Sequence, residues 1–131
     1  MVNLARNETT ELERMLRERE RTLRAEIRET LLRSKHEHHK DLAGMVSDIG
    51  DESVANVLAD LDIAAVDRDV GELRNVENAL LRLRWNAYGP CMDCGEPIGY
   101  ARLRAQPAAA RCIACQERRE HGYAASQTPS L

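Results

Sequence analysis

Apolar residues recur at helical intervals through the first third of the chain. Their spacing is typical of one face of an α-helix, and glutamate–arginine pairs four residues apart support an exposed opposite face. The apolar face comprises Leu12, Leu16, Leu23, Ile27, Leu31 and Leu42. No proline interrupts the pattern, so it predicts one long helix over residues 8–45. The segment Ser34–Lys40 contains no apolar residue and is the weakest part of this helix.

A short polar segment then interrupts the apolar pattern. Gly50 permits a chain reversal, and Asp48, Asp51 and Ser53 are side chains that commonly cap helices. A second apolar stripe predicts a helix from about residue 52 to 86. The stripe contains Val54, Val57, Leu58, Leu61, Ala65, Leu73, Val76, Leu80 and Leu83. Two long helices joined by a short turn predict an antiparallel hairpin, roughly 50 Å long at ~1.5 Å rise per residue.

The remainder of the chain has a different pattern. Tyr88-Gly89-Pro90 ends the second helix, and the following turn-rich segment holds all four cysteines before a short closing helix. The sequence therefore predicts a mainly α fold, in which a long coiled-coil hairpin carries a small four-cysteine zinc finger. We expect the hairpin at residues 1–87 with its tip near 46–53, the finger with its C-terminal helix at 88–122, and a flexible tail at 123–131. Trp85 and Tyr88 lie at the junction, and we expect them to pack the finger against the hairpin.

Composition and charge narrow the functional classes. Only 3% of the residues are aromatic and 31% are charged, which favours long helices over a thick core. The net charge of −3 argues against nucleic acid as the main partner. No apolar run could span a bilayer, and the first residues lack the apolar stretch of a secretory signal, so we expect a cytoplasmic protein without membrane contact. No catalytic set can be assembled, and we predict that the protein is not an enzyme.

The cysteines form two C-x-x-C pairs, Cys91/Cys94 and Cys112/Cys115, separated by residues 95–111. Gly95 directly follows the first pair, where we expect the turn to need a positive φ. In a reducing compartment such cysteines are more often metal ligands than disulfides, and four thiolates at this spacing suit a tetrahedral zinc ion. Disulfides and a thioredoxin-like redox pair are the alternatives. A site closed by four cysteines has no open position for water, so the predicted cofactor is one structural Zn²⁺.

Three further motifs complete a family pattern. They are Cys91-x-x-Cys94-Gly95-Glu96-x-Ile98, Arg102-Leu103-x-Ala105-x-Pro107 and Cys112-x-x-Cys115-Gln116. With the hairpin and its acidic turn, the chain resembles the DksA/TraR family of zinc-finger transcription regulators. The resemblance implies binding to bacterial RNA polymerase, with the hairpin inserted through the secondary channel. It also implies an effect on transcription initiation without sequence-specific DNA contact.

The resemblance also implies roles for individual residues. A gapless count from Cys91 aligns Asp48 and Asp51 with the family's acidic tip motif, Asp-x-x-Asp-x-Ala, while Ser53 stands where the family usually has alanine. Some members bind guanosine tetraphosphate through basic residues near the junction of hairpin and finger. Arg68 keeps a basic residue there, but Asn75 and Gln116 are neutral. We therefore do not expect strong nucleotide binding by the family's usual contacts, since a polyphosphate needs several Lys or Arg donors.

Two other functional classes remain open at this point. Five arginines surround the second cysteine pair and could mark a zinc finger that binds nucleic acid, although stacking aromatic residues are sparse. Alternatively, the hairpin could act as a coiled-coil adaptor that pairs with another helical protein. The acidic net charge disfavours the first class, and the Asp48–Asp51 turn disfavours the second.

Overall fold

The computed structural model describes residues 4–33, 37–48, 53–59 and 63–127. Its α-helices are α1 (Arg6–Arg33), α2 (Glu37–Asp48), α3 (Val54–Ala59), α4 (Asp67–Arg84), α5 (Tyr100–Ala105) and α6 (Ile113–Gln127), with a 3₁₀ turn at Ala64–Val66. One isolated bridge joins Pro90 to Pro97. The mainly helical class is therefore confirmed. Within the described ranges, no helix is long and apolar enough to cross a membrane.

Helices α1 and α4 form the long antiparallel pair of the molecule. Arg19 of α1 donates to Glu72 of α4 with an Nη2···Oε1 distance of 2.7 Å. The parts of the predicted apolar stripes that lie on α1 and α4 meet along this pair. Leu80 and Leu83 of the second stripe are only partly buried, and Ala65 is exposed. The buried residues are Leu12, Leu16, Leu23, Ile27 and Leu31 on α1, and Val70, Leu73, Val76 and Ala79 on α4. Each large apolar side chain removed from water contributes about 1.5–3 kcal/mol to stability. This apolar seam between α1 and α4 therefore stabilises the helical body, which consists of α1, α2, α3 and α4.

The predicted continuous helix over residues 8–45 is wrong. Helix α1 ends at Arg33, and α2 begins at Glu37 and lies beside α1 rather than extending it. No residue between Ser34 and Asp41 is apolar, so a straight continuation would carry a stretch without a buried face. In the observed arrangement, Ala43 and Val46 of α2 are buried in the same core as the leucines of α1.

The predicted second helix is also divided, and Ser53 of the predicted tip contacts α4. Val54 and Leu58 of α3 are buried in the core beside α4. The Ser53 hydroxyl donates to Glu77 Oε1 at 2.7 Å, and the Val54 N–H donates to Glu77 Oε2 at 3.1 Å. Glu77 lies near the middle of α4, so Ser53 lies beside the α1–α4 pair and not at its outer end. Gly50 and Asp51 lie outside the described residues.

The cysteine-rich segment packs against the end of α4. The Tyr88 hydroxyl donates to the Pro107 carbonyl at 2.8 Å, and burial raises the pKa of Tyr88 to about 12. Arg82 donates to the Ala109 carbonyl at 3.4 Å. Tyr88 thus makes the junction contact expected of it, whereas Trp85, which we expected to pack there, is 76% exposed. Trp85 is the C-cap of α4, where the chain leaves the helix and no other element covers the side chain.

The closing helix is longer than the sequence indicated. We expected it to end near residue 121, but α6 runs from Ile113 to Gln127. It therefore includes residues 123–127 of the predicted flexible tail, and residues 128–131 lie outside the described ranges.

Candidate zinc site

The first cysteine pair lies in a tight turn built by backbone hydrogen bonds. The Cys91 N–H donates to the Glu96 carbonyl at 2.7 Å, and the Gly95 N–H donates back to the Cys91 carbonyl at 3.0 Å. Gly95 has a φ of +78°, a conformation that side chains with a Cβ rarely adopt. Glycine directly after the C-x-x-C pair therefore lets the turn close, as the sequence suggested.

The second pair begins α6 and is joined to the first by two contacts. Cys112 immediately precedes Ile113, the first residue of α6. The Met92 N–H donates to the Ala110 carbonyl at 2.9 Å, and the Arg111 guanidinium contacts the Asp93 carboxylate at 2.9 Å. These contacts bring together two cysteine pairs that are distant in sequence.

The four sulfur atoms have the spacing that one zinc ion requires. All four Sγ atoms lie within 4.8 Å of one another, and the Cys94 and Cys112 sulfurs are 3.9 Å apart. A regular tetrahedron with Zn–S bonds of ~2.3 Å has sulfur–sulfur edges of ~3.8 Å. The donor set and its geometry therefore suit one structural Zn²⁺. All four predicted ligands are in place.

The local environment shifts the pKa values of the Cys91 and Cys115 thiols in opposite directions. Burial opposes ionisation of Cys91, but backbone hydrogen bonds from Cys94, Cys112 and Asp93 outweigh it and lower the pKa of the thiol to about 6. Hydrogen bonding to Cys112 and burial raise the pKa of Cys115 to about 12. Zinc binds thiolates, so the ion itself would supply the charge that stabilises the remaining deprotonated sulfurs.

The site is closed by the protein on one side. Cys91 and Cys115 are buried, Cys112 is partly buried, and Cys94 is exposed. Four thiolates fill the tetrahedron and leave no position for a reactive water, so the site can brace the fold but cannot activate a substrate.

Sequence reasoning missed three residues that support these structures. Asp93 and Arg111 join the two cysteine turns, and Glu77 binds the start of α3. Their partners lie 18 and 24 positions away, so no local spacing marks them. Asp93 and Arg111 could have been suspected only from their positions beside cysteines.

The other predicted site residues lie on separate elements where they are described, and Asp51 lies outside the described residues. Asp48 is exposed at the last position of α2, and Ser53 is bound to Glu77. Asn75 and Gln116 both line a groove of about 1120 Å³ between the α1–α4 pair and the finger, but Arg68 is exposed on α4 and does not line this groove.

The geometry defines a four-cysteine zinc-finger protein built on a helical body. The family model described as the prokaryotic dksA/traR C4-type zinc finger matches residues 86–121. A Caulobacter vibrioides protein named RNA polymerase-binding transcription factor DksA is 36% identical over 110 residues, which cover 82% of this chain and 72% of the relative. This chain therefore belongs to the DksA/TraR family.

Two more relatives carry the same name and match over a shorter range. The protein from Haemophilus influenzae is 32% identical over 79 residues, covering 60% of this chain and 54% of the relative. The protein from Escherichia coli K12 is 30% identical over 79 residues, covering 60% of this chain and 52% of the relative. No solved structure matches the chain.

Proposed function

We propose that this protein binds bacterial RNA polymerase and regulates transcription, with the zinc finger as a structural part. The observation that carries the proposal is the 36% identity to a relative named for RNA polymerase binding, which extends over 82% of this chain. The four sulfurs support it, because they preserve the family's finger. The role is one of binding rather than catalysis, since a closed four-cysteine site offers no reactive metal position.

We further propose that the regulator enters the secondary channel of the polymerase and acts through Asp48 and Asp51. The support is the match of these residues to the family's acidic tip motif and the exposure of Asp48 at the end of α2. Carboxylates delivered to a site rich in basic residues or metal ions change its electrostatic field strongly, because little water screens them there.

Guanosine tetraphosphate is not part of this proposal. Asn75 and Gln116, the neutral residues at family nucleotide positions, line the groove beside the finger. Its charged lining residues are Glu18, Glu72, Glu117 and Glu120, and Arg19, Arg102, Arg111 and Arg119. Two of these arginines are already paired with carboxylates, Arg19 with Glu72 and Arg111 with Asp93. A polyphosphate would therefore meet as many acidic as basic groups.

Three of the five arginines around the second cysteine pair make contacts within the finger. Arg102 donates to the Arg111 carbonyl at 3.0 Å, and Arg111 itself binds Asp93. Arg118 lies 3.9 Å from the Cys115 sulfur. These three guanidinium groups support the finger's own fold, so they are not available as an unengaged basic surface of the kind that binds phosphates. This disfavours nucleic-acid binding by these residues.

The tip residues can be tested by the double substitution Asp48→Asn and Asp51→Asn. Asparagine keeps the size of aspartate, and Asp48 is exposed at the end of α2, so stability should change by only a few tenths of a kcal/mol. Polymerase binding should largely survive, while the effect on transcription in vitro should be lost because the negative charge is gone. Regulation equal to that of the parent protein would show that the two carboxylates are not the active groups.

A further inference from the structure

We propose that Arg118 is a positioning residue of the zinc site. Its positive charge lies against the Cys115 sulfur, offsets the negative charge of the metal centre and raises the affinity of the chain for zinc. The inference goes beyond the proposed function, because it concerns the metal and not the polymerase. It can be tested on the purified chain alone.

The metal centre is negatively charged once it is formed. One Zn²⁺ held by four cysteine thiolates has a net charge of about −2. A charge that is removed from water is stable only where dipoles or opposite charges lie close to it. Cys91 and Cys115 are buried, so water does not reach these two sulfurs freely. The protein must therefore supply part of the compensation itself.

Backbone dipoles supply one part of this compensation. The Cys91 sulfur accepts hydrogen bonds from backbone N–H groups of both cysteine turns. Cys112 directly precedes α6 and Cys115 lies in its first turn, so the second pair lies at the positive end of the helix dipole. These contributions are fractional charges, and they leave room for a full positive charge near the second pair.

Arg118 is placed to supply that charge. It lies three residues after Cys115 on α6, and residues at this spacing are neighbours on one side of a helix. Helical side chains lean toward the N-terminus, so the long side chain of Arg118 folds back over the turn that carries Cys115. Its Nη2 atom donates to the Cys115 sulfur at 3.9 Å. The contact brings a guanidinium from the solvent side to a buried ligand.

The charge of Arg118 is not neutralised by a carboxylate. Among the described residues, its guanidinium forms no ion pair. Arg111, which directly precedes Cys112, is paired with Asp93 at 2.9 Å, so that pair adds little net charge to the site. Of these two arginines, Arg118 is therefore the one that brings net positive charge to the sulfurs.

The test compares two substitutions of Arg118 with a matched control. Arg118→Gln removes the charge and keeps a helix propensity close to that of arginine, whereas Arg118→Lys keeps the charge. Arg119→Gln is the control, because it makes the same change of net charge at the neighbouring exposed position of α6. Arg119 lines the groove beside the helical body. Circular dichroism of the zinc-loaded proteins verifies that the helices persist.

Zinc affinity is measured by competition with a chromophoric chelator at constant pH, and the rate of zinc release is measured in excess chelator. Loss of a group that contacts a metal ligand typically weakens metal binding 10–100-fold, and the exposure of Arg118 favours the lower end of this range. Arg118→Gln should therefore bind zinc about tenfold more weakly than the parent and release it faster. Arg118→Lys should recover most of the affinity, and Arg119→Gln should match the parent.

Salt separates charge compensation from a packing role. In about 1 M of a salt whose anion does not bind zinc, the Debye length falls to about 3 Å and an exposed charge is strongly screened. The difference in zinc affinity between the parent and Arg118→Gln should then shrink. A side chain that acted only by packing would leave the difference unchanged.

Two results would overturn the inference. One is an Arg118→Gln protein that binds zinc as tightly as Arg119→Gln. The other is a loss of affinity that lysine does not recover and salt does not reduce, because such a loss would not depend on charge. A parent protein that binds no zinc would overturn the inference together with the metal site itself.

Discussion

Substitution of one zinc ligand, Cys112→Ser, should unfold the finger and leave most of the helical body intact. Among the described residues of the finger, only Leu103, Cys91 and Cys115 are buried. A buried leucine contributes about 1.5–3 kcal/mol, whereas a structural zinc contributes about 10–16 kcal/mol in small fingers. The apolar contacts alone therefore cannot keep this segment folded.

The size of the expected change follows from the helix lengths. Helices α5 and α6 of the finger contain 6 and 15 residues, whereas α1, α2, α3 and α4 contain 28, 12, 6 and 18. Loss of the finger should lower the far-UV ellipticity by about a quarter, because the leucine seam of the helical body does not include the metal site. The melting temperature of the body should fall modestly, since the contact from Tyr88 to Pro107 is lost as well.

The assay combines elemental analysis for zinc with circular dichroism. Met92→Ala is the matched control, because Met92 lies in the first cysteine turn and is 61% exposed. The control should retain one zinc per chain and full ellipticity. The Cys112→Ser protein should lose the zinc and about a quarter of the ellipticity. Retention of zinc and of full ellipticity by Cys112→Ser would refute the assignment of this cysteine as a ligand that the fold requires.

Two further predictions concern the helical body. Asn86 has a φ of +57° at the end of α4, so Asn86→Ala should destabilise the protein by about 1 kcal/mol in urea unfolding, while Asn86→Gly should not. Equal stability of the alanine and glycine variants would contradict this. Hydrogen bonding to Arg19 lowers the pKa of Glu72 below its ordinary 4.5, so the pair stabilises the fold above about pH 4.5 and the contribution is lost as the pH falls further. Both side chains are partly exposed, so Arg19→Gln should lower the free energy of unfolding by less than about 1 kcal/mol at pH 7 and by still less at pH 3. An effect as large at pH 3 as at pH 7 would contradict this prediction.

The sequence predicted the features that depend on local spacing. The predicted apolar face of α1 is buried where helical periodicity placed it, as are Leu73 and Val76 of α4, because each helix needs one apolar face. The four zinc ligands could likewise be predicted from the sequence, since each C-x-x-C turn positions two sulfurs by itself. Gly95 was identified for the same reason, as its positive φ is a requirement of that turn.

The features that the sequence did not predict depend on contacts between distant residues. The apolar pattern resumes with Leu42 after the polar segment, and periodicity alone cannot distinguish a continued helix from one that lies beside the first. The bond between Ser53 and Glu77 spans 24 positions and therefore leaves no periodic signal. Trp85 was misplaced because its size suggested burial, whereas its position at the C-cap of α4 leaves it exposed.

The central claim is tested most directly by the binding of the purified, zinc-loaded chain to its host's RNA polymerase. The assay measures complex formation with and without a transcript-cleavage factor that occupies the secondary channel. We predict a stable complex that the factor displaces in a concentration-dependent manner. Absence of a complex would contradict polymerase binding, and a complex unaffected by saturating factor would contradict entry through the secondary channel.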